Sequence, residues 1–330
     1  MTKFMDTKLK ELEKVFGQNR IRVDEPMSNH TTFKIGGPAQ FYIDIDKTED
    51  IVKAVTTAKK LDLTIFIFGG GSNIIIADHG IKGLVVKNNC RRFDIMTMSG
   101  RVKNQKIDVD KALVYAESGV IMNQLVRFTI DQGLGGLEYQ LGLPGTVGGG
   151  VCMNSNFPRK GVYVGDCVYK AKLVTTDGVI KEVDNAYFHF AYDYSVLQET
   201  KEVVLSVVFR LEPQDKKILW ERGMDALAHR NDSQPKGASA GCTFRNISIV
   251  DAMRVPTPDR VTSAGYLIDK AGLKGKRIGD AMISDMHANF ILNMGKAKAA
   301  DILGLVDLMK SEVQRKFGVP LHLEVKTIGF

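Results

Sequence analysis

Two glycine-rich runs carry the most pointed chemistry in this chain. Residues 137–154 read LEYQLGLPGTVGGGVCMN, where Pro144 and Gly145 precede Gly148, Gly149 and Gly150, with side chains between only at Thr146 and Val147. Glycine and proline both disfavour the interior of regular elements, so the spacing predicts a loop, neither a helix nor a buried strand. A backbone bared in this way can approach a flat, rigid partner, such as a flavin ring or a pyrophosphate. The second run is Gly69, Gly70, Gly71, Ser72 and Asn73, set between the apolar stretches 65–68 and 74–76. Strand, glycine turn and apolar stretch is an order that can offer several N–H groups to a phosphate. Either run alone also reads as a surface turn. Neither is a GxGxxG opening a helix, because Gly71 leads to Asn73 and three isoleucines, which argues against a Rossmann unit.

These runs need elements to hold them. Leu9, Leu12, Val15 and Phe16 recur at helical spacing and predict an amphipathic helix over 6–16. Residues 40–44 read as a strand, and Thr48 as the N-cap of a helix ending near Leu61, with Glu49 and Asp50 in its first turn. Strands are expected at 83–87, 112–116, 172–175 and 202–209, with a helix at 122–131. Ala299, Ile302, Leu303, Val306, Met309, Val313 and Phe317 mark a helix within 296–317, which Gly318 and Pro320 stop. Residues 321–328 read as a last strand. The pattern is α+β, with an α/β opening, a strand-rich middle and a mixed final third.

Composition narrows the classes. The 330 residues suffice for two or three domains, and 44% hydrophobic with 25% charged content is ordinary for a globular chain. No run approaches the roughly 20 apolar residues of a membrane span, and the first residues lack an apolar signal region. No membrane insertion and a cytoplasmic location are therefore expected. Cys90, Cys152, Cys167 and Cys242 form no CxxC pair and fit neither a zinc site nor a disulfide framework, so no metal is expected. The net charge of +7 is scattered, which reads first as a solvated surface, then as attraction of an anionic small molecule, and least as a nucleic-acid patch. The residues give no oligomeric state.

Further motifs make the chain similar to the UDP-N-acetylenolpyruvoylglucosamine reductase (MurB) family. The resemblance is carried by residues 29–39 (NHTTFKIGGPA), 69–73, 136–149, 239–246 (SAGCTFRN), 264–269 (AGYLID), 272–275 with 278–279, 287–290 (HANF) and 324–329 (EVKTIG). It implies an FAD-binding α+β fold of the vanillyl-alcohol-oxidase (PCMH) type with a C-terminal α+β substrate domain. The implied division is 1–98 and 99–215 for two FAD-binding subdomains, 216–319 for the substrate domain and 320–330 for a strand returning to the active site. Non-covalent FAD, NADPH as electron donor and an anionic nucleotide sugar follow from the same resemblance. The implied reaction reduces UDP-N-acetylglucosamine enolpyruvate to UDP-N-acetylmuramate, in peptidoglycan precursor synthesis. The alternatives are a diverged FAD/NADPH oxidoreductase with another substrate and a non-catalytic FAD-binding protein.

The resemblance also assigns roles. Gly69, Gly70, Gly71, Ser72 and Asn73 would give N–H groups to the FAD pyrophosphate, while Pro144, Gly145, Thr146, Gly148 and Gly149 would lie against the flavin. Cys242 stands where most members carry the serine that protonates the substrate. A thiol, with an ordinary pKa of about 8.5, is a better proton donor than an alcohol. Its plainer reading is a buried apolar cysteine. Glu324 matches the catalytic glutamate, and its plainer reading is the outward face of a strand with Leu321, Leu323 and Val325 inward. Asn246 and His287 match substrate-facing positions, and Arg230 a basic position within reach of a diphosphate.

Three departures bear on the substrate side. In 190–195 (FAYDYS), Asp193 occupies the family's arginine position, so an acid replaces a cation where like charges would repel an anionic substrate. Ser233 replaces a lysine before Gln234 and Pro235. Residues 155–161 (SNFPRKG) replace a small-residue stretch and bring Arg159 and Lys160, candidates to take over the lost arginine's role. No long insertion follows Ser195, as in the shorter, loop-less subtype.

Overall fold

The computed structural model describes residues 2–103, 106–255, 257 and 260–330. By packing, the chain divides into two compact units. The first comprises Met1–Val23, Phe41–Gly70 and Gly83–Arg230, and the second Asp24–Gln40, Gly71–Lys82 and Asn231–Phe330.

In the first unit, a sheet of six strands runs in the order Ile180–Asp184, Val168–Val174, Val203–Pro213, Lys106–Glu117 and Phe93–Lys103, with Leu134–Gly135 also on Val203–Pro213. Val203–Pro213 has the continuous apolar run expected of a strand covered on both faces. Val204, Val207, Phe209 and Leu211 enter one core and Leu205 a second. The first core takes the helix Met122–Asp131, whose Met122, Leu125, Val126 and Ile130 are buried at helical spacing. The second takes Thr48–Lys60 and Thr2–Phe16. Thr48 is the first helical residue, not the cap. Lys47 is the N-cap and gives no side-chain capping bond.

The second unit has one core, built on the helices Ala264–Lys270 and Ala299–Phe317 and the sheet Arg277–Ile278, Ala281–Ile283, Ile291–Asn293. Ala299–Phe317 ends at Gly318, whose φ of 71° suits a left-handed cap. Its first N–H groups are held by the Asp78 carboxylate, at 2.8 Å from Ala299 and 3.1 Å from Ala300. The final strand is shorter than 321–328. Lys326–Ile328 pairs in parallel with Ile74–Ile76, whereas Leu323 bridges Phe244. The segment changes partner near Val325, so no single ladder spans it.

The run 137–154 is not all loop. Val147–Met153 is an α-helix, capped by Thr146 and ended by Asn154 at φ 47°. Glycine costs roughly 1 kcal/mol per helical position relative to alanine. Tertiary packing outweighs that cost here. A Cβ at Gly148 would stand 2.9 Å from Ser118 Cβ, and one at Gly150 would stand 2.8 Å from Met122 Cε. Overpacking of this kind costs about 1–3 kcal/mol. The glycines let the helix close onto its neighbours.

Candidate active site

In the first unit, Gly69 and Gly70 of the one run meet Gly145 and Thr146 of the other. A Cβ at Gly69 would lie 2.2 Å from Thr146 Oγ1, and one at Gly70 would lie 2.9 Å from Gly145 Cα. Gly69 therefore faces the Thr146 side chain and Gly70 the Gly145 backbone, where the strand Ile65–Phe68 ends. The segment is tied down through carbonyls and flanks: Met122 N donates to Gly145 O at 3.1 Å, and Thr146 Oγ1 accepts from Gly149 N at 3.5 Å. Beyond its own cap at 3.7 Å, a Cβ at Gly149 would meet nothing. Within this unit the N–H group of Gly70 donates to no protein acceptor among the described residues. An unspent donor at Gly70 and an open glycine face at Gly149 fit the phosphate and ring of FAD. Gln140, which the sequence reading passed over, is buried just before Pro144, and its Oε1 has no partner among the described residues.

Arg230 ends near the same segment. It donates to Tyr139 O at 3.5 Å and lies over the Phe157 ring at 5.5 Å.

In the second unit, the segment carrying Cys242 runs between two others. Cys242 bridges Phe290, and Thr243 N donates to Asn289 O at 2.8 Å. On the other side Phe244 bridges Leu323, and Glu324 N donates to Thr243 O at 2.9 Å. Cys242 and Glu324, 82 positions apart by number, thereby stand on adjacent backbone segments, both half-buried. Asn289 locks the arrangement. Its Oδ1 accepts from Phe244 N at 2.9 Å and its Nδ2 donates to Phe244 O at 2.7 Å. Asn73, at the end of the glycine turn, donates to Glu324 O at 3.4 Å and accepts from Lys326 N at 3.0 Å. Gly71 O accepts from Thr32 N at 3.1 Å, and Thr32 Oγ1 donates to Ser239 O at 2.7 Å. The sequence marked the motifs holding Asn289 and Thr32 without giving either residue a role.

His287 and Asn246 are set by the helix Ala264–Lys270. His287 packs on Gly265, where a Cβ would stand 2.9 Å from its ring, and its Nδ1 accepts from Asn289 N at 3.2 Å. Burial pushes the His287 pKa below its ordinary value, and the Lys274 charge adds to that. The ring is neutral at neutral pH. Asn246 is exposed, and its Oδ1 accepts from Ala264 N at 3.2 Å.

Asp193 is buried in the first unit at φ 48°, within a tight turn closed by paired hydrogen bonds between Ala191 and Tyr194. Asn156 Nδ2 donates to its Oδ1 at 3.3 Å. Ser233 is the last residue of the helix Lys216–Ser233. All four cysteines are free thiols. Among the described residues no group of ligating side chains is placed to hold a metal, and no helix is long and apolar enough to cross a membrane.

Known proteins resemble this arrangement along nearly the whole chain. Residues 39–184 match the FAD binding domain family, and residues 233–328 match the UDP-N-acetylenolpyruvoylglucosamine reductase C-terminal domain. The chain is 37% identical over 317 residues to the UDP-N-acetylenolpyruvoylglucosamine reductase of Synechococcus sp. (strain CC9311), covering 94% of each. It is 34% identical over 323 residues to that of Clostridium botulinum (strain 657 / Type Ba4), covering 97% of this chain and 96% of the other. The crystal structure of MurB from Thermus caldophilus matches with a TM-score of 0.72 at 30% identity, covering 93% of this chain and 99% of that one. The fold is an FAD-binding α+β fold, as the sequence led us to expect. With matches of this length at both ends of the chain, the protein belongs to the UDP-N-acetylenolpyruvoylglucosamine reductase family.

Proposed function

We propose that this chain reduces UDP-N-acetylglucosamine enolpyruvate to UDP-N-acetylmuramate in the cytoplasm, using FAD and NADPH, with Cys242 as proton donor. The observation that carries the reading is the backbone pairing that sets a half-buried thiol beside the segment bearing Glu324. Bound FAD supplies the two-electron chemistry that links NADPH to the alkene. Cys242 supplies the proton: its S–H bond breaks as a C–H bond forms on the neighbouring substrate carbon, and solvent reprotonates the thiolate. Glu324 helps polarise the enol acid and, as a nearby negative charge, keeps the thiol protonated. Neutral His287 keeps Nε2–H as a donor, because Nδ1 is already accepting. It faces substrate together with Asn246, and Arg230 serves the diphosphate. Gly69, Gly70, Gly71, Ser72, Asn73, Pro144, Gly145, Thr146, Gly148 and Gly149 hold the cofactor through backbone. Segments 1–98 and 99–215 supply FAD binding, 216–319 substrate binding, and 320–330 the returning strand.

The carboxylate at Asp193 and the hydroxyl at Ser233 favour a second reading, a flavin reductase of this family acting on another acceptor. One experiment separates the two. Under anaerobic conditions NADPH is added to bleach the flavin, followed by the enolpyruvyl sugar nucleotide. Prompt return of the oxidised spectrum is expected. Bleaching without return moves the assignment to the second reading, and failure to bleach removes both.

A further inference from the structure

The hairpin that follows the flavin segment has a construction that the proposed chemistry does not use. Strands Asn156–Phe157 and Val162–Tyr163 pair antiparallel around the turn Pro158–Lys160 and Gly161, which stands at φ 62°. Arg159 and Lys160 are exposed there, and neither is in an ion pair among the described residues. A Cβ at Gly161 would meet nothing within 4 Å, so the tip is open. The base is not. Phe157 is buried, stacked on Tyr139 with 5.8 Å between ring centres and edge-on to His229 at 5.7 Å. Ser155 N donates to Gly150 O, and Val164 N donates to Ser155 O, each at 2.9 Å. Asn156 Nδ2 is held by Asp193 Oδ1 at 3.3 Å. Tyr139 and Gly150, two of these anchors, flank residues 144–149 in sequence.

A pair of exposed cations on a loose turn is normally just solvated. On a fixed base the backbone ordering entropy is already spent, so a charged contact has only side-chain ordering left to offset. Arg and Lys side by side suit phosphate oxygens, the guanidinium as a fork and the ammonium as a point charge. We propose that the Pro158–Lys160 turn is a phosphate-binding element, its cations Arg159 and Lys160 taking a phosphate of NADPH or of the nucleotide sugar, with Asn156 and Asp193 as the positioning residues that hold it. This inference rests on residues 144–149 being the flavin segment. It also gives the acid at Asp193 a use: it anchors the base from which cations are presented.

The test uses the FAD-loaded protein and reads binding as well as turnover. NADP⁺ and UDP-N-acetylglucosamine are titrated calorimetrically against wild type and the double variant Arg159→Ala, Lys160→Ala. Loss of about tenfold or more is expected for one ligand, with KM raised for the matching substrate and kcat changed far less. Loss in the NADP⁺ arm assigns the turn to the donor, and loss in the other arm assigns it to the sugar nucleotide. Unchanged affinity for both overturns the proposal. Asn156→Ala is expected to weaken the same ligand, to add nothing in the triple variant, and to leave flavin absorbance intact. Asp193→Asn, which keeps the acceptor, retains affinity. Full additivity of Asn156→Ala with the double variant removes the positioning role. If the enolpyruvyl sugar fails to reoxidise wild-type flavin, the proposed function falls while the titrations still decide the turn.

Discussion

The proposed flavin segment and the proposed proton-donor segment are built in opposite ways. In the first unit the proposed role rests on side chains left out: Gly69 faces Thr146 and Gly70 faces Gly145 with no room for a methyl group, and the helix Val147–Met153 closes on Ser118 and Met122 through glycines. In the second unit the proposed role rests on side chains hung on paired backbone. Cys242 and Glu324 hold their places because Thr243 is bonded to Asn289 on one side and to Glu324 on the other. The first region is therefore sensitive to an added carbon, and the second to a removed polar group.

The largest expected effect is on the second kind of site. Cys242→Ala should slow flavin reoxidation by the enolpyruvyl substrate by about 10²–10⁴-fold, while flavin reduction by NADPH stays normal. Cys242→Ser should retain most activity. Stopped-flow measurement of each half-reaction decides, and equal loss in both would argue against the proton-donor role.

Next comes the added carbon. Gly69→Ala should cost about 1–3 kcal/mol of stability and lower FAD content, read as flavin absorbance per protein and as thermal midpoint. A variant with full FAD and an unchanged midpoint would break the comparison, because space would not be what those glycines provide. Asn289→Ala sharpens it from the other side. It leaves Phe244 N–H and C=O buried without their partners, at about 1–3 kcal/mol. It should also slow reoxidation by letting the Cys242 segment shift, and lost stability with unimpaired reoxidation would separate the two roles.

Thiol chemistry gives a smaller contrast within one residue type. Burial, helped by nearby carboxylates, pushes Cys90 and Cys167 up to about 12. Alkylation at neutral pH should reach Cys242 and Cys152 first, with Cys90 and Cys167 labelled only on unfolding. Peptide mapping after a short iodoacetamide pulse checks this, and early labelling of Cys90 would contradict its burial.

The sequence showed the periodic elements well. Met122–Asp131 and Ala299–Phe317 were legible because their buried residues recur at helical spacing, and Gly318 stops the second. The helix Val147–Met153 was not legible, because its stability comes from close packing that no local propensity reports. The last strand was overextended, because alternation cannot show that residues near 323 and 326 pair with different partners. At the site, the two glycine runs were legible singly but their contact was not. Asn289 was missed as a positioning residue since an asparagine inside a motif looks the same whether it meets substrate or backbone. Asp193 read only as a lost cation, and its bond to Asn156 is a tertiary fact.

The smallest effect joins the two kinds of argument at His287. Its pKa in the folded chain lies below the ordinary 6.5, mainly through burial. Below 6.5 the unfolded chain takes up the proton first, so stability is full above that value and falls as pH drops toward the folded pKa. Protonation also removes the Nδ1 lone pair that accepts from Asn289 N, and Asn289 holds the segment carrying Cys242. Acid should therefore loosen the proton donor's support before it unfolds the chain. His287→Gln, neutral at every pH, should show a shallower loss of denaturation midpoint as pH falls below the ordinary 6.5, with a matching change in the pH profile of reoxidation. Parallel midpoint curves for variant and wild type would mean that His287 does not couple burial to the Cys242 segment, and the support of that segment would then lie in Asn289 and the pairing with Glu324 without the histidine.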